Sequence, residues 1–212
     1  MSHAENRKAN IIMVLELAIA FFKKKGVENT TAEDLSISSG LTQRSLFRYF
    51  GTMDQLVVHA TAFFWSDVIR VTNLLYDDII KNDKSGYEQL SEILSSMEDL
   101  YVQSKDSFMM LQEMEAFLYK KKLSFSDIYG SHVNTNGYES PIACVLRKGI
   151  EDGSLRPNLD VEETHLMIYC LFTGVIPKLA LCERDVLYSQ KISPKSFIDS
   201  TVHMMLEFVK AR

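Results

Sequence analysis

The chain has 212 residues and a mass of 24.2 kDa; 46% of it is hydrophobic and 24% charged, with 9 Gly, 4 Pro and 3 Cys. That length suits one well-filled core, or a small domain beside a larger one, and the apolar share excludes wholesale disorder. The net charge of −5 excludes a uniformly basic nucleic-acid binder, yet residues 1–60 set seven basic residues (Arg7, Lys8, Lys23, Lys24, Lys25, Arg44, Arg48) against six acidic ones (Glu5, Glu16, Glu28, Glu33, Asp34, Asp54), a near-neutral head on an acidic body.

Strand-like alternation is nearly absent and 3.6-residue stripes recur, so the whole chain reads as helical. The first helix spans about Asn6–Lys25 and stops at Gly26. Its apolar run Ile11–Phe22 is interrupted by Glu16, followed by three lysines and lacks a small-residue cleavage site, so no signal peptide is expected. Two short helices follow at about Ala32–Ser39 and Gln43–Tyr49, then a long one at about Met53–Ile80 with Val57, Ala60, Phe64, Val68, Val71 and Leu75 on one stripe. Lys81–Gly86 reads as a polar break. Tyr87, Leu90, Leu94, Met97 and Tyr101 then mark one helix, and Phe108, Leu111, Met114, Phe117 and Leu118 another.

A loop is expected at Gly130–Glu139, before three closing helices at about Pro141–Asp152, Val161–Leu181 and Pro194–Ala211. Capping signals precede several helices: Thr31 to Asp34, Thr52 to Gln55 and Asp160 to Glu163, with Ser140-Pro141 and Ser193-Pro194 pairing a cap residue with a proline at the first helical position. Pro177 is expected to end or kink its helix. The apolar run Leu166–Pro177 falls short of the ~20 residues of a membrane span. Cys144, Cys170 and Cys182 show no CxxC spacing and fit buried or semi-buried thiols in a reducing cytoplasm.

Residues 31–50, TAEDLSISSGLTQRSLFRYF, have helix-turn-helix spacing. Leu35, Leu41, Leu46 and Tyr49 are apolar where two short helices must pack, Gly40 stands where the turn needs a positive φ, and Thr42 can cap the second helix. Gln43, Arg44, Ser45, Phe47 and Arg48 would face outward, and a single helix fits the B-DNA major groove. By donor and acceptor geometry, Gln43 suits adenine, Arg44 guanine and Ser45 either base.

The series Gly26-Val27, Thr30-Thr31, Asp34-Leu35-Ser36, Ser39-Gly40-Leu41-Thr42, Ser45–Thr52, Asp54 and Leu56 resembles the N-terminal signature of TetR-type transcriptional regulators. The resemblance implies an all-α fold: a three-helix DNA-binding domain over residues 1–52, then a helical ligand-binding and dimerisation domain over 53–212. It implies DNA contacts from Thr31, Thr42, Gln43, Arg44, Ser45, Phe47, Arg48 and Tyr49. Phe47 stands where the family usually has a phosphate-binding tyrosine, and Met53 where it favours a lysine, so fewer phosphate contacts are expected. The resemblance also implies a repressor, acting as a homodimer on a two-fold double-stranded DNA operator and released by a small apolar or amphipathic effector. The alternative is a helical ligand-binding or protein-interaction module with a weakened DNA-binding head.

Large adaptable side chains crowd residues 57–181, and a cavity implied by the resemblance would draw its lining from Phe64, Trp65, Met97, Tyr101, Met110, Met114, Phe117, Tyr169 and Phe172. Asp67, Glu113 and Glu115 lie near those stripes, where an inward carboxylate would suit a cationic ligand. The last two long helices are apolar on more than one face, which suggests a helical partner surface at Met167, Leu171, Gly174, Val175, Val202, Met205, Leu206 and Val209. Five scattered histidines without HExxH, and the absence of GxSxG, Walker A and GxGxxG motifs, leave no catalytic or metal site and no cofactor to expect.

Overall fold

A computed structural model describes residues 3–124, 140–182 and 193–211. Among them the regular elements are helices: α1 (His3–Lys25), α2 (Ala32–Ser39), α3 (Gln43–Phe50), α4 (Met53–Lys81), α5 (Gly86–Ser95), α6 (Met97–Lys121), α7 (Pro141–Glu151), α8 (Val161–Cys182) and α9 (Pro194–Val209). The loop expected at Gly130–Glu139 lies outside the described residues.

The chain divides into two compact units, and the division falls inside α4, between Val68 and Ile69, and inside α6, between Phe108 and Met109. The first unit holds α1 to α3, the start of α4 and the end of α6. Its core is Val14, Ala18 and Phe22 of α1, Leu35 of α2, Leu46 and Phe50 of α3, Leu56, Val57 and Ala60 of α4, and Met110, Met114 and Leu118 of α6. Each buried Val, Leu, Phe or Met side chain among them contributes about 1.5–3 kcal/mol relative to exposure, so two eight-residue helices that would not persist alone are held by their apolar faces.

The second unit has its own core: Leu90, Ile93 and Leu94 of α5, Val145 and Leu146 of α7, Leu155 of the connection after α7, Ile168, Phe172 and Ile176 of α8, and Ile198, Val202, Met205 and Val209 of α9. The buried Gln89 amide donates to the carbonyls of Ile80 and Asn82, which satisfies backbone acceptors at the C-terminal end of α4. After α9, Arg156 N–H donates to Val209 O and Ala211 N–H to Ser154 O, so the C-terminal strand of chain is tied back by a short bridge.

Several expectations need correction. Tyr101 does not share a helix with Tyr87: the chain breaks at Ser96, whose hydroxyl donates to Ile93 O, and α6 starts at Met97. The apolar stripe runs on across the break because Leu90, Leu94, Met97 and Tyr101 all face one core, so periodicity alone hides the interruption. Gly86 is the first residue of α5, capped by Ser85 and Glu88, and not part of the break before it. The α4 stripe ends early. Val71 and Leu75 are 45% and 55% exposed, and Tyr76 turns inward in their place, because the second half of the helix serves a different core.

Pro177 neither ends α8 nor lies at its edge; it is buried and the helix continues to Cys182. Ser140 makes no side-chain cap, whereas Thr31, Thr42, Thr52, Asp160 and Ser193 each accept from a backbone N–H of the following turn.

Candidate nucleic-acid interface

The geometry of the head starts from its caps. Thr31 Oγ1 accepts from Asp34 N–H while the Asp34 carboxylate accepts from Thr31 N–H, a reciprocal box that fixes the first turn of α2. Lys25 Nζ, at the end of α1, lies 2.5 Å from the same carboxylate. The Lys25 hydrogen bond and then those from Thr31 hold the Asp34 carboxyl down from 3.8 to about 2. One ionised side chain thereby joins the end of α1 to the start of α2.

The turn between α2 and α3 closes on Gly40, at φ 68° and ψ 8°, a left-handed conformation that a Cβ would strain. Ser36 Oγ donates to Leu41 O at 2.6 Å across that turn, and Thr42 then caps α3 by accepting from Ser45 N–H at 3.2 Å. Leu46 and Phe50 are the buried side of α3.

With those residues inward, the other face of α3 is set. Gln43, Arg44 and Arg48 are exposed, and Phe47 is 41% exposed. Ser45 is half-buried, and its hydroxyl receives the Thr42 hydroxyl at 3.1 Å. Thr31 is exposed but its hydroxyl is engaged with Asp34 at 2.6 Å. Tyr49 is half-buried at the rim, where its hydroxyl accepts from Asn10 Nδ2 of α1 at 3.4 Å and the Arg48 guanidinium lies 5.3 Å from its ring centre. The eight residues singled out from the sequence therefore split in two. Gln43, Arg44, Phe47 and Arg48 present their side chains to solvent; Thr31, Thr42, Ser45 and Tyr49 are engaged in hydrogen bonds that hold the helices in place.

Charge in this unit is shaped by distant sequence. Lys120 and Lys121 of α6 pair with Glu28 at 3.4 Å and Asp54 at 3.2 Å, and Lys25 pairs with Asp34. Three of the six acids counted in residues 1–60 are thus matched inside the unit, while Arg7, Arg44 and Arg48 form no ion pair with another described residue. Glu113, also on α6, accepts the Val27 N–H at 3.2 Å just past the end of α1. No local pattern signals these contacts, which span 86 and 92 residues for Glu113 and Lys120.

The residues suggested for an effector cavity fall into two groups. Met110 and Met114 are buried in the core of the first unit, with Phe64, Trp65 and Phe117 packed against it. Met97, Tyr101 and Phe172 are buried in the core of the second, where Tyr169 is half-buried on α8.

The suggested partner surface also divides. Met167 and Gly174 are exposed and Leu171 and Val175 are half-buried, but Val202, Met205, Leu206 and Val209 are core residues of their own unit. Because α9 carries apolar residues on more than one face, a list of its apolar positions does not tell inner from outer ones. The outer face is Phe197 (41% exposed), Met204 (58%) and Phe208 (41%), and on α8 Leu166 is 58% and Leu181 47% exposed. Helix α8 is also long and apolar enough to cross a membrane by length and composition, with a mean hydropathy of 1.6 over 18 residues, although the uninterrupted apolar run in its sequence is shorter.

Residues 14–60 match the family profile described as bacterial regulatory proteins, tetR family. The HTH-type transcriptional repressor KstR2 of Mycobacterium tuberculosis is 24% identical over 156 residues, 73% of this chain and 74% of that protein. KstR2 of Mycolicibacterium smegmatis is 26% identical over 157 residues, covering 73% and 72%. Among solved structures, the ketosteroid transcriptional regulator KstR2 of M. tuberculosis superposes with a TM-score of 0.53 at 21% identity, covering 94% of each chain. The transcriptional regulator FadR from Bacillus subtilis, in complex with stearoyl-CoA, superposes at 0.62 with 15% identity, covering 92% of this chain and 97% of that one. Both likenesses establish the shared all-helical fold.

Proposed function

We propose that this chain, whose head belongs to the tetR family of bacterial regulatory proteins, is a cytoplasmic transcriptional repressor that binds a two-fold operator as a homodimer and is released by a small apolar or amphipathic molecule. The observation that carries the reading is the face of α3. Gln43, Arg44, Phe47 and Arg48 point away from the core on a helix whose other side is fully committed, and both arginines on it form no ion pair with a described residue. A helix of that width enters the major groove, where Gln43 and Arg44 match adenine and guanine edges and Arg48 suits phosphate.

The dimer reading rests on the exposed apolar side chains of α8 and α9. Leu166, Met167, Leu181, Met204 and Phe208 leave large apolar side chains in water on these two helices, and Gly174 on α8 has open space where a partner backbone can approach. The effector class is supported by relatives named as a ketosteroid regulator and as a regulator bound to stearoyl-CoA. Met97, Tyr101 and Phe172 in the second unit are pliable enough to part around such a molecule. Helices α4 and α6 each contribute residues to both units, so a ligand that favours one conformation of either helix changes the head; coupling of ~1–3 kcal/mol lowers operator affinity about 5- to 150-fold.

Fluorescence anisotropy with labelled duplex from upstream of the protein's own gene tests the reading. Wild type is expected to bind that duplex well above a mixed-sequence control. Arg44→Ala is expected to weaken only the preferred duplex, by roughly 5- to 150-fold for the ~1–3 kcal/mol of one bidentate base contact. Equal binding of both duplexes by wild type, or none, overturns the proposal and leaves a helical interaction module.

A further inference from the structure

The base-reading face accounts for α3, but not for the groups that meet where α1 passes its C-terminal turn. Asn10 Nδ2 donates to the Tyr49 hydroxyl oxygen at 3.4 Å, which leaves the tyrosine's own proton to be donated elsewhere. The Arg48 guanidinium lies over the Tyr49 ring, 5.3 Å from its centre. Arg7 stands three residues before Asn10, on the same face of α1 and one turn nearer its start, and is exposed. The Asn10 hydrogen bond first, then Arg48, and more weakly the positive charge of Arg7, hold the Tyr49 hydroxyl below the usual phenol range.

Neither arginine forms an ion pair with a described residue, although three other cations of this unit do. The Arg48 guanidinium, the Asn10 amide and a hydroxyl with a donatable proton thus meet at one place, with the positive charge of Arg7 near enough to act on that hydroxyl. Such a set repels itself in the free protein and is stabilised by an incoming anion with several acceptor oxygens. It adjoins the face of α3 that the regulator reading places in the groove. It also offers donors to phosphate in a head where Phe47 and Met53 offer none.

We propose that Arg7 and Asn10 of α1, with Arg48 and Tyr49 of α3, form a seat for one backbone phosphate of the bound DNA, so that the first helix is itself a DNA-contacting element. This inference rests on the regulator reading above. A phosphate contact fixes position and carries no sequence information, so its loss weakens all duplexes alike and reduces the salt dependence.

The test uses the full chain, a duplex of about 30 bp enriched from a random pool by the wild-type protein, and a mixed-sequence duplex of equal length, each titrated from about 50 to 200 mM salt. Arg7→Ala is expected to weaken both duplexes by a similar several-fold factor and to lower the slope of log K against log salt by ~0.9 per protomer. Arg7→Lys, which keeps the charge, is expected to restore the slope. Tyr49→Phe, which keeps the ring but not the hydroxyl, is expected to weaken both duplexes without changing their ratio. The seat is overturned if Arg7→Ala matches wild type in affinity and slope, or if it weakens the enriched duplex alone. Failure of wild type itself to bind either duplex overturns the regulator reading together with the seat, so the two failures are told apart by the wild-type titration.

Discussion

Gly86 offers the sharpest test of how the second unit is built. A Cβ added there would stand 2.2 Å from Gly149 N, 2.3 Å from Gly149 Cα and 2.6 Å from Val145 O, all backbone atoms of α7 that cannot swing aside. Ordinary contact begins near 3.4 Å, so in Gly86→Ala the helices α5 and α7 must part by about 1 Å along a seam that also buries Leu90, Ile93, Val145 and Leu146. Overpacking of this kind costs ~1–3 kcal/mol, and backbone against backbone belongs at the upper end. Alanine gains up to ~1 kcal/mol over glycine in helix propensity, less at a first helical position, so the clash wins by about 2 kcal/mol. Circular dichroism at 222 nm should then show a melting midpoint lower by ~4–8 °C for a chain of this size. A midpoint unchanged or raised in Gly86→Ala would mean that propensity outweighs the clash, and that α5 and α7 do not approach as closely as their backbones indicate.

Two further outcomes concern the head and the partner surface. Asp34 has its carboxyl held at about 2 in the folded protein against 3.8 for the free group. A depressed folded value stabilises above the unfolded value, so the contribution is full above about pH 4 and disappears as the pH falls toward about 2. In urea unfolding followed across that range, the stability difference between wild type and Asp34→Asn should stay level from pH 7 to about 4 and shrink below it; a difference that persists unchanged at pH 2 refutes the Lys25–Asp34–Thr31 linkage. On α9, Met204 is 58% exposed between Phe197 and Phe208. Met204→Glu places a carboxylate on the proposed dimer face, and burying an unpaired charge there should raise the dimer dissociation constant by ~100-fold or more. Sedimentation velocity at micromolar protein would detect the shift to monomer, and a dimer as tight as wild type would place the interface elsewhere.

What the sequence determined by itself is whatever is settled within about four residues along the chain. Helix starts follow from an oxygen-bearing side chain meeting a free N–H of the next turn, as Thr31 does with Asp34 and Thr42 with Ser45. The turn follows from Gly40, because its φ of 68° is a local property of the backbone. The outward face of α3 was legible for the same reason, since Leu46 and Phe50 leave only one side for Gln43, Arg44 and Arg48.

Tertiary structure decided everything that depends on which partner an apolar or polar group meets. Helix α9 carries apolar residues on more than one face, so its neighbours determine that Val202, Met205, Leu206 and Val209 go in while Met204 and Phe208 stay out. Gly86 reads as a break until α7 is laid across it, and then its missing Cβ is what permits the crossing. The bonds from Asn10 to Tyr49 and from Val27 to Glu113 join residues 39 and 86 positions apart. Hydrophobic periodicity records that a residue is apolar and on which stripe, but a hydrogen bond or a close backbone approach depends on a distance in space, and the folded chain alone sets that distance.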